Sequence, residues 1–211
     1  MKKNLFLWIL SILFTGATFA QSPEIGITAG LNVSNTTLFK DNSFKPGFQA
    51  GVVADFSIAK NFSILPEFLF SQRGFKNKNV QLVDSQGNWT GETLTNTYNY
   101  LQLPINAAYK FDVGNDAKVI VFAGPYFGYA VSAKGNSWNI DIGSNGSLNR
   151  FDFGMNVGVG YQYEKIFVKL QYNQGLINVQ NPNIIIDEQN SNNASSMRNM
   201  NIAVTAGYFF N

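Results

Sequence analysis

The sequence predicts an all-β fold: an eight-stranded, antiparallel, up-and-down β-barrel that spans a membrane, of the outer-membrane type. Three observations support this prediction. Apolar residues recur at every second position in eight segments, as they do in strands that have one apolar face. Aromatic residues lie at both ends of these apolar faces, and short connections alternate with long ones. Transmembrane barrels combine these properties.

The chain before the first strand has the features of a secretory signal peptide. Two lysines precede the apolar run from Leu5 to Phe14, and small residues end at Ala20. The apolar run is shorter than the about 20 residues that a membrane-spanning helix requires, so a retained signal anchor is the weaker alternative. We expect residues 1–20 to be the signal peptide and residues 21–211 to be the barrel domain.

The first four predicted strands lie before residue 112. The first alternates aliphatic residues with glycine, threonine and asparagine, and the second and third carry phenylalanines near both ends. The fourth finishes with a tyrosine and a phenylalanine on its apolar face. This alternation has the period of a strand and not of a helix. The apolar face takes every second residue within 25–33, 48–58, 62–70 and 101–111.

The last four predicted strands follow the same rule. The sixth is the clearest, because FDFGMNVGVGYQY (151–163) places apolar and aromatic residues on one face and glycine, Asp, Asn and Gln on the other. The apolar face takes every second residue within 119–131, 151–163, 166–172 and 200–210. Bacterial outer-membrane barrels have an even number of strands, and eight satisfies this requirement.

The connections predict which ends of the strands lie together. The short ones fall near 59–61, 112–116 and 164–165, and the long ones near 35–45, 76–95, 134–149 and 179–197. Antiparallel strands therefore place all short turns at one end and all long loops at the other. Outer-membrane barrels have short periplasmic turns and longer extracellular loops, so we expect both termini in the periplasm.

A soluble barrel of the lipocalin type is the main structural alternative. It also has about eight alternating strands, but its apolar face points inward. The opposite face would then meet water and carry many charges, whereas here it consists largely of Gly, Asn and Gln. Aromatic residues near both ends of the apolar face are typical of a wall with two membrane interfaces. We therefore expect the apolar face to contact lipid and the glycines to leave room for longer polar side chains inside.

Composition excludes several functions. The chain has no Cys and no His, so thiol nucleophiles, disulfides, thiolate metal sites, histidine zinc sites and Ser-His triads are impossible. The formal charge of +2 is too small to favour a nucleic-acid partner. Only 13% of residues are charged, whereas a soluble surface carries about 25–35%. We expect neither an enzyme nor a bound cofactor.

By alternation, six charged residues point into the barrel. They are Asp55 and Lys110 near the short turns, Glu67 and Lys169 at mid-strand, and Arg73 and Asp152 near the long loops. Three are acidic and three basic, and unpaired charges in a narrow lumen are costly. We therefore expect a structural polar network that fills the lumen. A proton or ion path is the alternative.

Five other residues need separate comment. Pro66, Pro104 and Pro125 lie inside predicted strands and cannot donate ladder hydrogen bonds, so we expect either a β-bulge or a wrong strand assignment near them. Trp89 and Trp138 lie in long loops. They are candidate contact residues for a partner protein or for a lipopolysaccharide surface.

Several segments resemble the PorT-like family of small outer-membrane β-barrel proteins. The resemblance rests on ILPEFLFSQRGFK (64–76), NYLQLPINAAYKF (99–111), FAGPYFGYAVSAK (122–134), RFDFGMNVGVGYQY (150–163), QYNQGLINV (171–179) and AVTAGYFFN (203–211). It covers nearly the whole mature chain. The namesake of the family belongs to a protein-secretion and gliding apparatus, whereas most relatives are barrels without an assigned role.

These observations predict a monomer in the outer membrane of a Gram-negative cell. Its expected partners are outer-membrane lipid and lipopolysaccharide, together with envelope or secretion proteins. The first functional hypothesis is a non-catalytic barrel whose long extracellular loops have a structural or interaction role in the envelope. A membrane component of a PorT-type secretion apparatus and a small channel are the alternatives.

Overall fold

The computed structural model describes residues 22–37, 42–77, 93–136, 139–143, 146–180 and 197–210. These residues form eight strands, each antiparallel to the next, and β8 pairs with β1 to close a barrel. The predicted fold class is confirmed. The strands are β1 Glu24–Thr36, β2 Asn42–Ala59, β3 Phe62–Asn77, β4 Leu94–Gly114, β5 Ala117–Lys134, β6 Phe151–Tyr163, β7 Ile166–Gly175 and β8 Asn199–Phe209. The predicted signal peptide lies outside the described residues.

The two ends of the barrel differ in their connections. Short turns join β2 to β3, β4 to β5 and β6 to β7, and they lie at the end where β1 begins and β8 finishes. Asn115, Asp116 and Glu164 adopt positive φ angles in these turns, a conformation that tight turns require. We call this the short-turn end and the opposite one the long-loop end. Closure gives each described strand a neighbour on both sides, as a membrane interior demands.

The apolar face of each strand points outward. On β6, the side chains of Met155, Val157 and Val159 are about half exposed, whereas Asp152 and Asn156 are 2% exposed and point into the lumen. Aromatic pairs lie on the outward face toward both ends, such as Tyr129 with Phe151 and Tyr208 with Phe210. Within the described ranges, no helix combines the length and the apolar character that crossing a membrane would need.

The wall formed by β2, β3, β4 and β5 extends beyond the other strands at the long-loop end. These strands have 16 to 21 residues, whereas about 9–11 are enough to cross a bilayer. Just above the aromatic belt, the outer face of this wall carries a row of polar side chains. Gln72 donates to Asn99 at 3.4 Å, and Asn99 donates to Ser132 at 2.8 Å. The polar row marks the level at which the wall leaves the hydrocarbon.

The bulges expected at Pro66, Pro104 and Pro125 are absent, because the pairing register continues past all three prolines. At each proline, two residue pairs are skipped on the side of the preceding strand, while pairing with the following strand is kept. In an antiparallel sheet, the N–H of one residue points to one neighbour only, so a proline interrupts only that ladder. The two described register shifts in β2 lie elsewhere, one between Phe44 and Gln49, which bracket Pro46, and one between Ser57 and Ala59.

Candidate functional site

The six charged residues predicted to point inward are all buried in the lumen. They form three ion pairs at successive levels between the short-turn end and the long-loop end. The pair nearest the short turns joins Asp55 on β2 to Lys110 on β4, with Nζ donating to Oδ2. Phe167 and Phe209 stack at the same end, with ring centroids 4.8 Å apart.

The middle pair joins opposite walls of the barrel. Nζ of Lys169 on β7 lies 2.7 Å from Oε2 of Glu67 on β3. A chain of amides continues from the carboxylate. Asn106 donates to Oε1 of Glu67 at 3.5 Å, and Asn156 donates to Asn106 at 2.8 Å. Lys169 also lies 5.8 Å from the ring centre of Phe122, within cation–π range. The lumen is therefore bridged at its centre.

The pair nearest the long loops is Arg73 with Asp152. Their closest charged atoms are 3.8 Å apart, and each group also has other partners. The guanidinium of Arg73 donates to Gln102 at 2.8 Å and lies 5.2 Å from the ring centre of Tyr126. Oδ2 of Asp152 accepts hydrogen bonds from Tyr126 and from Asn199, at 3.1 and 2.9 Å. This level is a network more than a single salt bridge.

The inward glycines do not only make room for polar chains. Three of them lie directly opposite lumenal aromatic rings in the β-ladder: Gly158 faces Phe122, Gly154 faces Tyr126 and Gly207 faces Phe167. A Cβ atom at Gly158 would lie 2.4 Å from the ring of Phe122, and one at Gly207 would lie 2.1 Å from the ring of Phe167. The expectation of polar chains opposite glycine is wrong at Phe122 and Phe167, where the rings fill the space.

Sequence reasoning also missed an apolar layer above the charged levels. We call this layer the cap. It contains Phe75, Tyr98, Tyr100, Ala130, Ala133, Leu148, Val179 and Met197, with Ile140 and Ile142 packed against it. The cap combines the ends of β3, β4 and β5 with loop residues, and a cavity of about 250 Å³ lies in its outer part. Alternation along β3 and β4 places Phe75, Tyr98 and Tyr100 on the inward face, and this could have indicated the cap.

The charged groups in the lumen neutralise one another. Each buried carboxylate lies within 4.0 Å of a basic nitrogen. Among the described residues, no group of three or more Asp and Glu side chains could hold a metal ion. Trp89 and Trp138 lie outside the described residues, so their roles stay predictions.

A closed eight-stranded barrel with a lipid-facing apolar belt and a packed polar interior defines the class of small outer-membrane β-barrel proteins. Residues 19–181 match the family described as "Outer membrane protein beta-barrel domain", and the chain belongs to that family. Its location is the outer membrane. No curated protein is significantly similar in sequence to this chain.

Several solved structures are similar to this chain at low sequence identity. Neisserial surface protein A is 15% identical, with a TM-score of 0.52 over 90% of this chain and 99% of that one. OprG from Pseudomonas aeruginosa is 9% identical, with a TM-score of 0.49 over 90% and 97% of the two chains. Ail of Yersinia pestis, an attachment invasion locus protein, is 13% identical, with a TM-score of 0.46 over 90% and 100%. The likeness to Neisserial surface protein A concerns the fold.

Proposed function

We propose that this protein is a non-catalytic outer-membrane barrel whose long loops have a structural or interaction role in the cell envelope. The observation that carries the proposal is the filled lumen. Three ion pairs and the cap occupy successive levels of the interior. Eight strands enclose a space that side chains can fill completely. A barrel without an open lumen acts through its exposed surfaces, and in outer-membrane barrels the long loops are the part that faces the exterior.

The filled lumen also argues against a channel and against catalysis. A path for ions would have to pass the bridge between Glu67 and Lys169, whose charged atoms are 2.7 Å apart. A general acid or base must reach a substrate, but Glu67 and Asp152 are 3% and 2% exposed. With neither His nor Cys in the chain, few alternative catalytic groups remain.

Membership of a secretion apparatus is the second candidate, and the resemblance to the PorT-like family favours it. The two functions differ in the partners that they require. A secretion component belongs to a stable complex, whereas a solitary barrel binds loop ligands one at a time. In both cases we expect the barrel itself to be a monomer, because no second chain is needed to close it.

The test is affinity purification of the full chain, tagged in a periplasmic turn, from native membranes. A variant in which a short Gly-Ser linker replaces residues 181–196 serves as the comparison, and a linker in the turn after Gly114 serves as the control. We expect loop replacement to remove the recovered envelope partners while the barrel still folds. Unchanged recovery would contradict the proposal, and a stable set of secretion proteins would support the second candidate.

Catalysis is tested on the same material. We expect no turnover of phospholipid or peptide substrates by the purified barrel. Turnover that is abolished in Glu67→Gln or Asp152→Asn, with folding retained, would overturn the non-catalytic assignment.

A further inference from the structure

An exposed arginine lies on the outer side of the barrel at the long-loop end, just beyond the aromatic belt. Arg150 immediately precedes β6, and its carbonyl oxygen accepts a hydrogen bond from the N–H of Ala130 at 2.7 Å. Together with Gly143, Asn149, Phe151, Ile177 and Asn178, it lines a pocket of about 520 Å³. None of the three lumenal ion pairs contributes to this pocket.

The guanidinium of Arg150 has hydrogen-bond donors without a described acceptor. Its carbon atom lies 6.0 Å from the ring centre of Tyr129, which orients the group by a cation–π contact. Its side chain makes no described hydrogen bond or ion pair, so guanidinium N–H donors remain for a ligand in the pocket. Gly143 allows this position, because a Cβ atom there would lie 3.1 Å from Nε of Arg150. Gly143 also has a φ of +113°, which favours glycine.

The backbone around the pocket is held by hydrogen bonds between two loops. The N–H of Asn149 donates to the carbonyl of Val179 at 2.8 Å, and its side-chain amide donates to the carbonyl of Asn178 at 3.1 Å. The N–H of Val179 donates in turn to Met197 at 2.9 Å. A site fixed in this way loses little conformational entropy when a ligand binds.

Below the guanidinium, the surface is apolar and faces lipid. Phe151 is 67% exposed and Ile177 is 37% exposed, and the ring of Tyr129 packs edge-on against Phe151 at 5.3 Å. A ligand here would meet an apolar surface on its membrane side. On its outer side it would meet a guanidinium that can donate two parallel hydrogen bonds. Arginine matches the geometry of a phosphate oxygen pair better than lysine does.

We propose that Arg150 binds a phosphate group on the lipid anchor of lipopolysaccharide in the outer leaflet. Long loops of outer-membrane barrels face the exterior, which places Arg150 at the headgroup level of that leaflet. Among the described residues at this end, the accessible charges are mainly basic. The exposed or half-exposed charges described at this end are the basic residues Lys76, Lys134, Arg150 and Arg198 and one acidic residue, Asp141. The inference needs only the outer-membrane location, and it is independent of what the loops bind.

The test uses the refolded full chain in bilayers of zwitterionic phospholipid that contain either bisphosphorylated lipid A or its dephosphorylated form. Native mass spectrometry measures how much of the protein retains one lipid A molecule. We expect the wild-type protein to retain the phosphorylated form about five-fold better, the equivalent of about 1 kcal/mol for one basic residue at an anionic surface. Arg150→Gln should lose this preference, and Arg150→Lys should keep part of it.

The matched control is Lys60→Gln, which removes one exposed positive charge from a short turn and should leave the preference unchanged. Arg150 is exposed, so its replacement should not impair folding, and circular dichroism of each variant verifies this. Undiminished preference in Arg150→Gln would overturn the proposal. Equal retention of phosphatidylglycerol would also overturn it, because the site would then recognise any anionic lipid.

Discussion

The lumen and the cap both fill the interior of the barrel, but they do so with different interactions. In the lumen, regular strands place Glu67 and Lys169 face to face, so the interior is closed by opposite charges 2.7 Å apart. In the cap, Leu148 and Val179 come from loops and pack with Phe75 and Tyr98 from strand ends. Buried charge is stable only in pairs, whereas apolar packing loses stability in proportion to the volume removed.

This difference shows that ion pairs suit the regular strands and that apolar packing suits the loops. Barrel strands are held on both sides by ladders, so they can fix two charges in one geometry and repay the desolvation cost. Loops have fewer constraints, and an apolar contact tolerates small displacements that would break an ion pair. The cap therefore closes the end at which the chain is least regular.

The largest effect is expected from breaking the middle ion pair. Lys169→Met leaves the buried carboxylate of Glu67 without its partner, and uncompensated burial of this kind costs about 3–5 kcal/mol. Equilibrium unfolding in urea from lipid bilayers measures the free energy. The double variant Glu67→Gln with Lys169→Met should recover most of the loss, because no buried charge remains. Lys165→Met in an exposed turn is the control and should change little. A single variant as stable as the wild type would refute charge pairing as the basis of lumen stability.

A somewhat smaller loss of stability is expected when an arginine is placed on the lipid-facing wall, outside the lumen and the cap. Val157 lies outward at the middle of β6, and Val157→Arg should cost about 2–4 kcal/mol at the bilayer midplane. Ile166→Arg, outward at the short-turn end of β7, should cost about 0–1 kcal/mol because it lies near the interface. The same unfolding measurement compares them. Equal costs would show that the depth assignment is wrong.

The smallest effect on global stability is expected from the cap. Leu148→Ala removes a buried side chain from a layer that already borders a cavity, so we expect the lower limit of the usual cost, about 2 kcal/mol. The loss should be local and should speed exchange of the hydrogen-bonded amides of Ile140 and Gly143 by about 30-fold. Exchange in β6 and β7 should not change.

Leu65→Ala, in the apolar cluster inside the barrel, is the matched comparison for the cap. It should destabilise all strands together. If Leu148→Ala instead accelerates exchange throughout the barrel, the cap is part of one cooperative unit with the lumen and the distinction fails.

The strands and their facing could be predicted because the information is local. A side chain in a strand points to the opposite face from its neighbours, so the parity of Val157 alone indicates that Asp152 and Asn156 point inward. The six charged residues that this parity points inward are buried in the structure. Their pairing followed from the level of each residue along its strand, which sequence position gives directly.

The cap and the proline sites could not be predicted in this way. Ile140 and Leu148 lie in a loop without a period, and their burial depends on Phe75 and Tyr98, which are distant in sequence. Pro104 was expected to disturb the register, but the sheet loses hydrogen bonds to only one neighbour there. The burial of the cap and the register at the prolines both depend on contacts between distant segments. Alternation within a single segment gives no information about such contacts.

The central claim is that the lumen is closed, and planar-bilayer recording of the refolded full-length protein tests it most directly. With Glu67 and Lys169 bridged and the cap above them, we predict no steady conductance at either polarity. Leu148→Ala should also stay closed, because the charged levels remain after the cap is loosened. A steady conductance on the nanosiemens scale in the wild-type protein would contradict the account.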